Sequence, residues 1–354
     1  MSAWQHYRAV LASVSDDYLS AAVAELRDAL GRGVSVERLA ADLVSVIGPH
    51  VTAADVARTV TERPLIFTRH VTNCVVRCEP TDLADIAAAA VAVVQPGPGN
   101  DADAIAVPGS VDTLAVQAWA CGDPPAGSGP ADAAAAIARA LRERGMSVVR
   151  AGTEHVLSCC ITPDATFLAL NRSADSLVDW PGGRVRLARG PTQISRAEFK
   201  LEELIMVQPH TLPTHGRALD LGAAPGGWTR LIRERGLEVW AVDPGALDPR
   251  LGGDRHVHHV VTTAGEFLRG THMTFDLVVN DMRMEPAMSA QVMVDAADRL
   301  RRGATAVITL KLGTTRALDT VSACLRLLRR RYDVVFGRQL HHNRHEATIV
   351  LTRR

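Results

Sequence analysis

The C-terminal half of the sequence predicts an α/β fold: a mainly parallel sheet covered by helices, with an antiparallel last strand. Three observations carry this. From residue 217 onward, short apolar runs alternate with helical patterns. The first of these runs ends in a glycine loop, Gly222-Ala223-Ala224-Pro225-Gly226-Gly227. The last two runs are joined by residues 341–345 alone, too short a link for a parallel crossover, so that pair must be antiparallel.

In order, strands are expected at 217–222, 238–243, 256–261, 276–281 and 304–310, with helices at 228–235, 287–302 and 315–330. The helix at 287–302 aligns Val292, Met293, Ala296, Ala297 and Leu300 on one face, and that at 315–330 aligns Leu318, Val321, Leu325 and Leu328. Strands at 332–340 and 346–352 close the chain. The N-terminal half reads as α+β: a strand at 7–12, a helix at 16–30, extended structure at 65–78 and a turn or linker at 96–100. A strand at 113–119, an Ala-rich helix at 130–144 and a hairpin of 155–162 with 165–170 across Pro163-Asp164 follow. The expected division is a small α+β unit at 1–80, a second at 81–183, and the α/β domain at 184–354.

Hydrophobic content of 47% and a formal charge of zero fit a globular protein. No apolar run approaches the ~20 residues that span a bilayer, and Met1–His6 shows no secretory pattern, so a cytoplasmic protein without a membrane partner is expected. The six cysteines give no recognisable disulfide framework and are expected as buried strand residues in a reducing compartment. The zero charge conceals an asymmetry. Residues 1–183 carry 13 Arg against 21 Asp and Glu, a net −8, and residues 184–354 carry 26 Lys and Arg against 18, a net +8. A basic C-terminal half suggests a polyanionic partner there.

The chain has 37 arginines and two lysines, Lys200 and Lys311. Arginine stays protonated, whereas a lysine amine loses its proton when desolvated or crowded by another cation. Each lysine lies in a patterned segment, Ser195-Arg196-Ala197-Glu198-Phe199-Lys200-Leu201-Glu202-Glu203 and Thr309-Leu310-Lys311-Leu312-Gly313, which makes both candidates for proton chemistry. The glycine loop lets a ligand approach backbone N–H groups at the start of the next helix. It lacks the third glycine of a dinucleotide fingerprint and the Gly-Lys-Ser/Thr of a phosphate loop. Asp243 ends the next strand, where a carboxylate can accept hydrogen bonds from ribose hydroxyls.

The segments SRAEFKLEE, DLGAAPGGW, VVNDM, TLKLG and HEATIVL resemble the motif series of the FtsJ-type ribose 2′-O-methyltransferases. The stretches ISRAEFKLEEL and RQLHHNRHEATIVLTRR resemble more narrowly the bacterial group that methylates a cytidine 2′-oxygen of large-subunit ribosomal RNA. The resemblance implies a Rossmann-like domain using S-adenosylmethionine, preceded by a ferredoxin-like unit and a THUMP domain. It implies an RNA substrate, protein-free or early-assembly ribosomal RNA, and no obligate protein partner. It places a catalytic tetrad on Lys200, Asp281, Lys311 and Glu346. It places cofactor contacts on Ser195, Gly222, Ala224, Pro225, Gly226, Gly227, Trp228, Asp243 and Asp281. Two roles stay open for Lys311: a general base toward the ribose hydroxyl, or an ammonium that orients it. The same chemistry on tRNA or another RNA, or a silent RNA-binding protein of this fold, are the alternatives. One departure stands out. Where the family usually has an acidic adenine contact this chain has Ala264, leaving Glu266 or a backbone carbonyl to serve.

Two histidine groups, His256-x-His258-His259 and His341-His342-x-x-His345, invite a zinc reading. The second adjoins Glu346 and is flanked by Arg338 and Arg344, so a phosphate-facing loop is expected there and no metal. Arg329-Arg330-Arg331 reads equally as a solvated helix end or an RNA contact.

Overall fold

The structure is a computed structural model that describes residues 4–79, 82–95, 111–127 and 129–354. The chain forms two compact units, Met1–Arg184 and Val185–Arg354.

The first unit is built on β1 (Trp4–Ser13), α1 (Leu19–Leu30), β2 (Ser35–Ala40), β3 (Leu43–Ile47), α2 (Ala53–Glu62), β4 (His70–Cys78), α3 (Leu83–Val94), β5 (Thr113–Ala120), α4 (Pro130–Glu143), β6 (Ser147–Val149), β7 (His155–Ile161) and β8 (Thr166–Arg172). All eight strands join one sheet in the order β2-β3-β1-β4-β8-β7-β5-β6. The seam between its halves is the antiparallel pair β4–β8, with Val76 opposite Leu168. The expected hairpin is β7–β8, with Ile161 opposite Thr166. The six cysteines are free and buried, four of them in strands β4 and β7.

Several elements differ from the sequence reading. Extended structure was expected from residue 65, but the strand starts at His70. The buried Glu25 carboxylate accepts from Ile66 N at 2.7 Å and Phe67 N at 2.9 Å, which takes those donors out of any ladder. β2, β3, β6, α2 and α3 were not expected. α2 starts at a capping box of Thr52 and Asp55, and α3 is apolar nearly all round, which hides its helical period. The turn expected at 96–100 lies outside the described residues.

The second unit contains α5 (Glu198–Val207), β9 (Arg217–Leu221), α6 (Gly227–Glu234), β10 (Glu238–Val242), β11 (Val257–Val260), α7 (Ala264–Gly270), β12 (Phe275–Asn280), α8 (Pro286–Ala296), β13 (Leu300–Lys311), α9 (Ala317–Leu328), β14 (Tyr332–Arg338) and β15 (Glu346–Arg353). The sheet order is β11-β10-β9-β12-β13-β15-β14. The first five are parallel, and β15 is antiparallel to both β13 and β14. The central strands are buried on both faces, so they read as near-continuous apolar runs such as Val278-Val279 and Val307-Ile308. The helix expected to reach residue 302 stops at Ala296. Leu300 already pairs with Phe275 at the start of β13, and Gly303 at φ 76 lets that strand bulge. Strand order reverses between β9 and β12. Such a switch leaves a crevice at the carboxyl ends of the strands.

Candidate active site

Sheet register assembles most of the tetrad. β12 ends at Asn280 and delivers Asp281 beyond the strand. Thr309 and Lys311 lie two apart on β13 and face the same side. Lys311 stands directly opposite Glu346 in the antiparallel ladder. Lys200 arrives from the first turn of α5.

The two lysines and two carboxylates interlock. Lys200 Nζ donates to both Asp281 oxygens at 2.9 Å and to Glu346 Oε1 at 3.0 Å. Lys311 Nζ donates to Asp281 Oδ1 at 2.5 Å, Thr309 Oγ1 at 2.8 Å and Glu346 Oε1 at 2.9 Å. The Thr309 hydroxyl donates to Asp281 Oδ1. The four side chains are 13–19% exposed. Burial by itself would lower the Lys200 amine, but Asp281 and Glu346 outweigh it and raise its pKa above the ordinary value. Burial would likewise raise the Asp281 carboxyl, yet Lys311 and Lys200 hold it below the usual carboxylate range. Lys200 is therefore a lasting cation and Asp281 a lasting anion.

The tetrad forms one wall of a cleft of about 700 Å³, also lined by Ser195, Gly222, Ala224, Pro225, Gly227, Trp228 and Asp243. Of the residues expected to contact a cofactor, Gly226 alone does not line it. Gly226 turns the chain into α6 at φ 107, and a Cβ there would lie 2.4 Å from Leu251 Cδ1. A Cβ on Gly227 would lie 2.4 Å from Ser195 Oγ, so the bare backbone is what brings the serine against the start of α6. That buried Oγ has no hydrogen-bond partner among the described residues. Asp243 accepts from Ala224 N at 3.1 Å and Gly245 N at 2.6 Å, tying β10 to the glycine loop. Asp220 also lines the cleft and accepts from Thr229 Oγ1 at 2.7 Å. Its burial pushes its carboxyl up to about 7.

Residues 193–334 match the family described as FtsJ-like methyltransferase. The match lies within the second unit and spans 142 of the 354 residues. The chain is 39% identical over 177 residues to "Ribosomal RNA large subunit methyltransferase M" of Halorhodospira halophila, covering 49% of this chain and 51% of that one. Proteins of the same name from Methylococcus capsulatus and Thauera aminoaromatica are 36% and 32% identical over 53% and 61% of this chain, and 55% and 62% of theirs. The chain thus spans little more than half the length of the curated relatives it matches.

The second unit also shows what the sequence reading missed. Glu203, 1% exposed, sits one helical turn past Lys200. It accepts from His341 N, His342 N and His342 Nδ1, each at 2.7 Å, and so anchors the loop between β14 and β15. Glu198 accepts from Ile194 N at 2.6 Å and Ser195 N at 2.9 Å and pairs with Arg230 of α6. The signal was present in SRAEFKLEE, where Glu198 and Glu203 are carboxylates in a helix whose Leu201 and Leu204 are buried.

Other expectations are corrected. Glu266 is not at the cleft. It closes the capping box of α7, accepting from Thr262 Oγ1 at 2.9 Å and Thr263 Oγ1 at 2.8 Å, while Thr263 and Ala264 line the cleft. Arg338 does not face solvent. It is 4% exposed, lies over Phe336, and burial pushes its pKa down to about 10. Arg344 does line the cleft, with His342. The histidines at 256–259 serve separate partners: His258 meets Glu238 at 2.8 Å and His259 meets the Asp243 carbonyl at 3.2 Å. No cluster of three or more His, Cys, Asp or Glu suited to a metal occurs among the described residues. No helix is long and apolar enough to cross a membrane among those residues.

Proposed function

We propose that this protein transfers the methyl group of S-adenosylmethionine to a ribose 2′-hydroxyl of RNA, at a cytidine of large-subunit ribosomal RNA. The observation that carries the reading is the tetrad itself: two lysines and two carboxylates on the wall of a cleft that the glycine loop also lines. The residues fit the cofactor. Ser195 offers an unused hydroxyl, and the acids Asp243 and Asp281 suit a ligand with a positive sulfur and an ammonium group.

When bound, S-adenosylmethionine supplies an electrophilic methyl group. Ser195, Gly222, Ala224, Pro225, Gly227, Trp228, Asp243 and Asp281 hold it, and Gly226 shapes the turn. Lys200 stays charged and fixes Asp281 and Glu346. Lys311 is the group that meets the ribose hydroxyl. An ammonium has no lone pair, so Lys311 accepts the hydroxyl proton only as a neutral amine; as a cation it orients the oxygen by redirecting one of the three N–H groups it gives to Asp281, Thr309 and Glu346. The arginines lining the cleft, Arg196, Arg283 and Arg344, suit the flanking phosphates. Residues 1–80 and 81–183 are read as a ferredoxin-like unit and a THUMP-like unit that select the RNA. A protein acting on protein-free or early-assembly ribosomal RNA belongs in the cytoplasm.

Incubation with labelled S-adenosylmethionine and protein-free large-subunit ribosomal RNA is the test, followed by mapping of the modified nucleotide. Label on a cytidine ribose supports the reading. Cofactor binding without transfer to any RNA points to a silent binder, and label on tRNA to another substrate.

A further inference from the structure

The excess of arginine in the second unit is not confined to the cleft. A second concentration lies at the other end of the same sheet. From the Lys311–Glu346 pair to the Thr305–Thr352 pair, β13 and β15 run side by side for about 20 Å, at ~3.4 Å per residue. Beyond that point Arg353 ends β15 and Arg354 follows it, Arg301 and Arg302 occupy the bulge of β13, and Arg329 to Arg331 lead from α9 into β14. The first and last of these segments touch: Arg354 N donates to the Arg331 carbonyl at 3.2 Å and Arg353 Nη1 to the same carbonyl at 3.0 Å.

Part of this charge is balanced locally. Arg301 pairs with Asp276, Arg331 with Asp298 and Arg354 with Asp333. Arg302, Arg329 and Arg330 are exposed and have no acidic partner among the described residues. A helix C-terminus favours one or two cations, which accounts for Arg329 and Arg330 taken alone. It does not account for Arg302, which comes from a strand bulge and adds to the same uncompensated field.

We infer that this end of the domain is a second phosphate-binding surface, and that the substrate is a folded RNA reaching both ends of the sheet. The inference rests on the reading of the chain as an RNA methyltransferase. Guanidinium groups without local counterions are suited to phosphodiesters, whose binding releases condensed counterions. A single strand threaded through the cleft would leave this surface unused, whereas a structured RNA can span the ~20 Å between the two ends.

The test compares wild type with R302E/R329E/R330E in binding a folded fragment of large-subunit ribosomal RNA across a range of KCl concentrations. Cofactor affinity, set at the opposite end, reports that the variant is folded. If charge reversal prevents folding, R302Q/R329Q/R330Q replaces it. The expected result is RNA binding at least roughly tenfold weaker, with the slope of log affinity against log salt shallower by about two to three. Unchanged affinity and slope, in a variant that binds cofactor beside a wild type that methylates the RNA, overturns the inference alone and leaves the patch to an acidic protein. A wild type that neither binds nor methylates RNA overturns the functional reading with it.

Discussion

Lys200 and Lys311 donate to the same atom, Oε1 of Glu346, at 3.0 and 2.9 Å, and both also donate to Asp281. Two positive and two negative charges are thereby balanced within one cluster, and neither lysine can change its protonation without being felt by the other.

Lys311→Arg is expected to lose activity nearly as fully as Lys311→Ala. Arginine keeps its proton, and its planar fork does not fit a position that directs three bonds at Asp281, Thr309 and Glu346. A loss on the order of 100-fold or more in kcat is expected, since small misplacements of a reacting group cost that much. Cofactor affinity should be retained within a few-fold. Wild-type turnover by Lys311→Arg would remove the proton role from this residue.

The pH dependence separates the two roles of Lys311. A general base gives a single-turnover rate that rises with pH to a plateau, whereas an orienting ammonium gives a rate that falls once the amine deprotonates. Lys200, whose pKa is raised, remains charged across the range in either case and contributes no inflection near neutrality.

Glu203→Gln tests the anchoring of the loop that carries His342, Arg344 and Glu346. One carboxylate oxygen accepts from His341 N and the other from His342 N. An amide offers one acceptor and turns a donor toward the second N–H. A stability loss of about 1–3 kcal/mol is expected for the buried group left unpaired. A lower kcat should accompany it, with cofactor affinity unchanged. Thermal unfolding and a Michaelis series read the two effects, and an unaltered kcat would mean that the loop holds its place without Glu203.

Glu25 and Asp220, in separate units, are both pushed up to about 7 by burial. Between about pH 4 and pH 7 the folded protein therefore holds more protons at these sites than the unfolded chain, whose carboxyls titrate near pH 4. Stability should fall as pH rises through that window and level off above it. Glu25→Gln and Asp220→Asn should each flatten the decline of the melting temperature. An unchanged slope in either variant would show that the carboxyl is already ionised in the folded protein at low pH.

A fragment comprising residues 185–354 should bind S-adenosylmethionine as the full chain does, because every residue lining the cleft lies within it. Its methylation of ribosomal RNA should be much weaker if the first unit selects the substrate. Full activity of the fragment on that RNA would remove the selecting role from residues 1–184.

The sequence by itself determined which side chains were candidates for proton chemistry and the frame that carries them. Two lysines survived among 37 arginines, a glycine loop followed the first strand, and apolar runs alternated with helical stripes. These are local properties, set by side-chain chemistry, backbone freedom and period, so they are legible without contacts. Only the tertiary structure decided the rest. Lys311 meets Glu346 through strand register, and Lys200 reaches both carboxylates from a helix far away in sequence. Glu266 turns back to cap its own helix, and Arg338 is buried behind the loop it was expected to arm. The N-terminal strands join one sheet through β4 and β8, segments separated by 88 residues at the Cys78–Thr166 pair. Each of these depends on which distant surfaces pack together. A carboxylate, a guanidinium or a short strand has several local partners of similar worth, and the global packing selects among them.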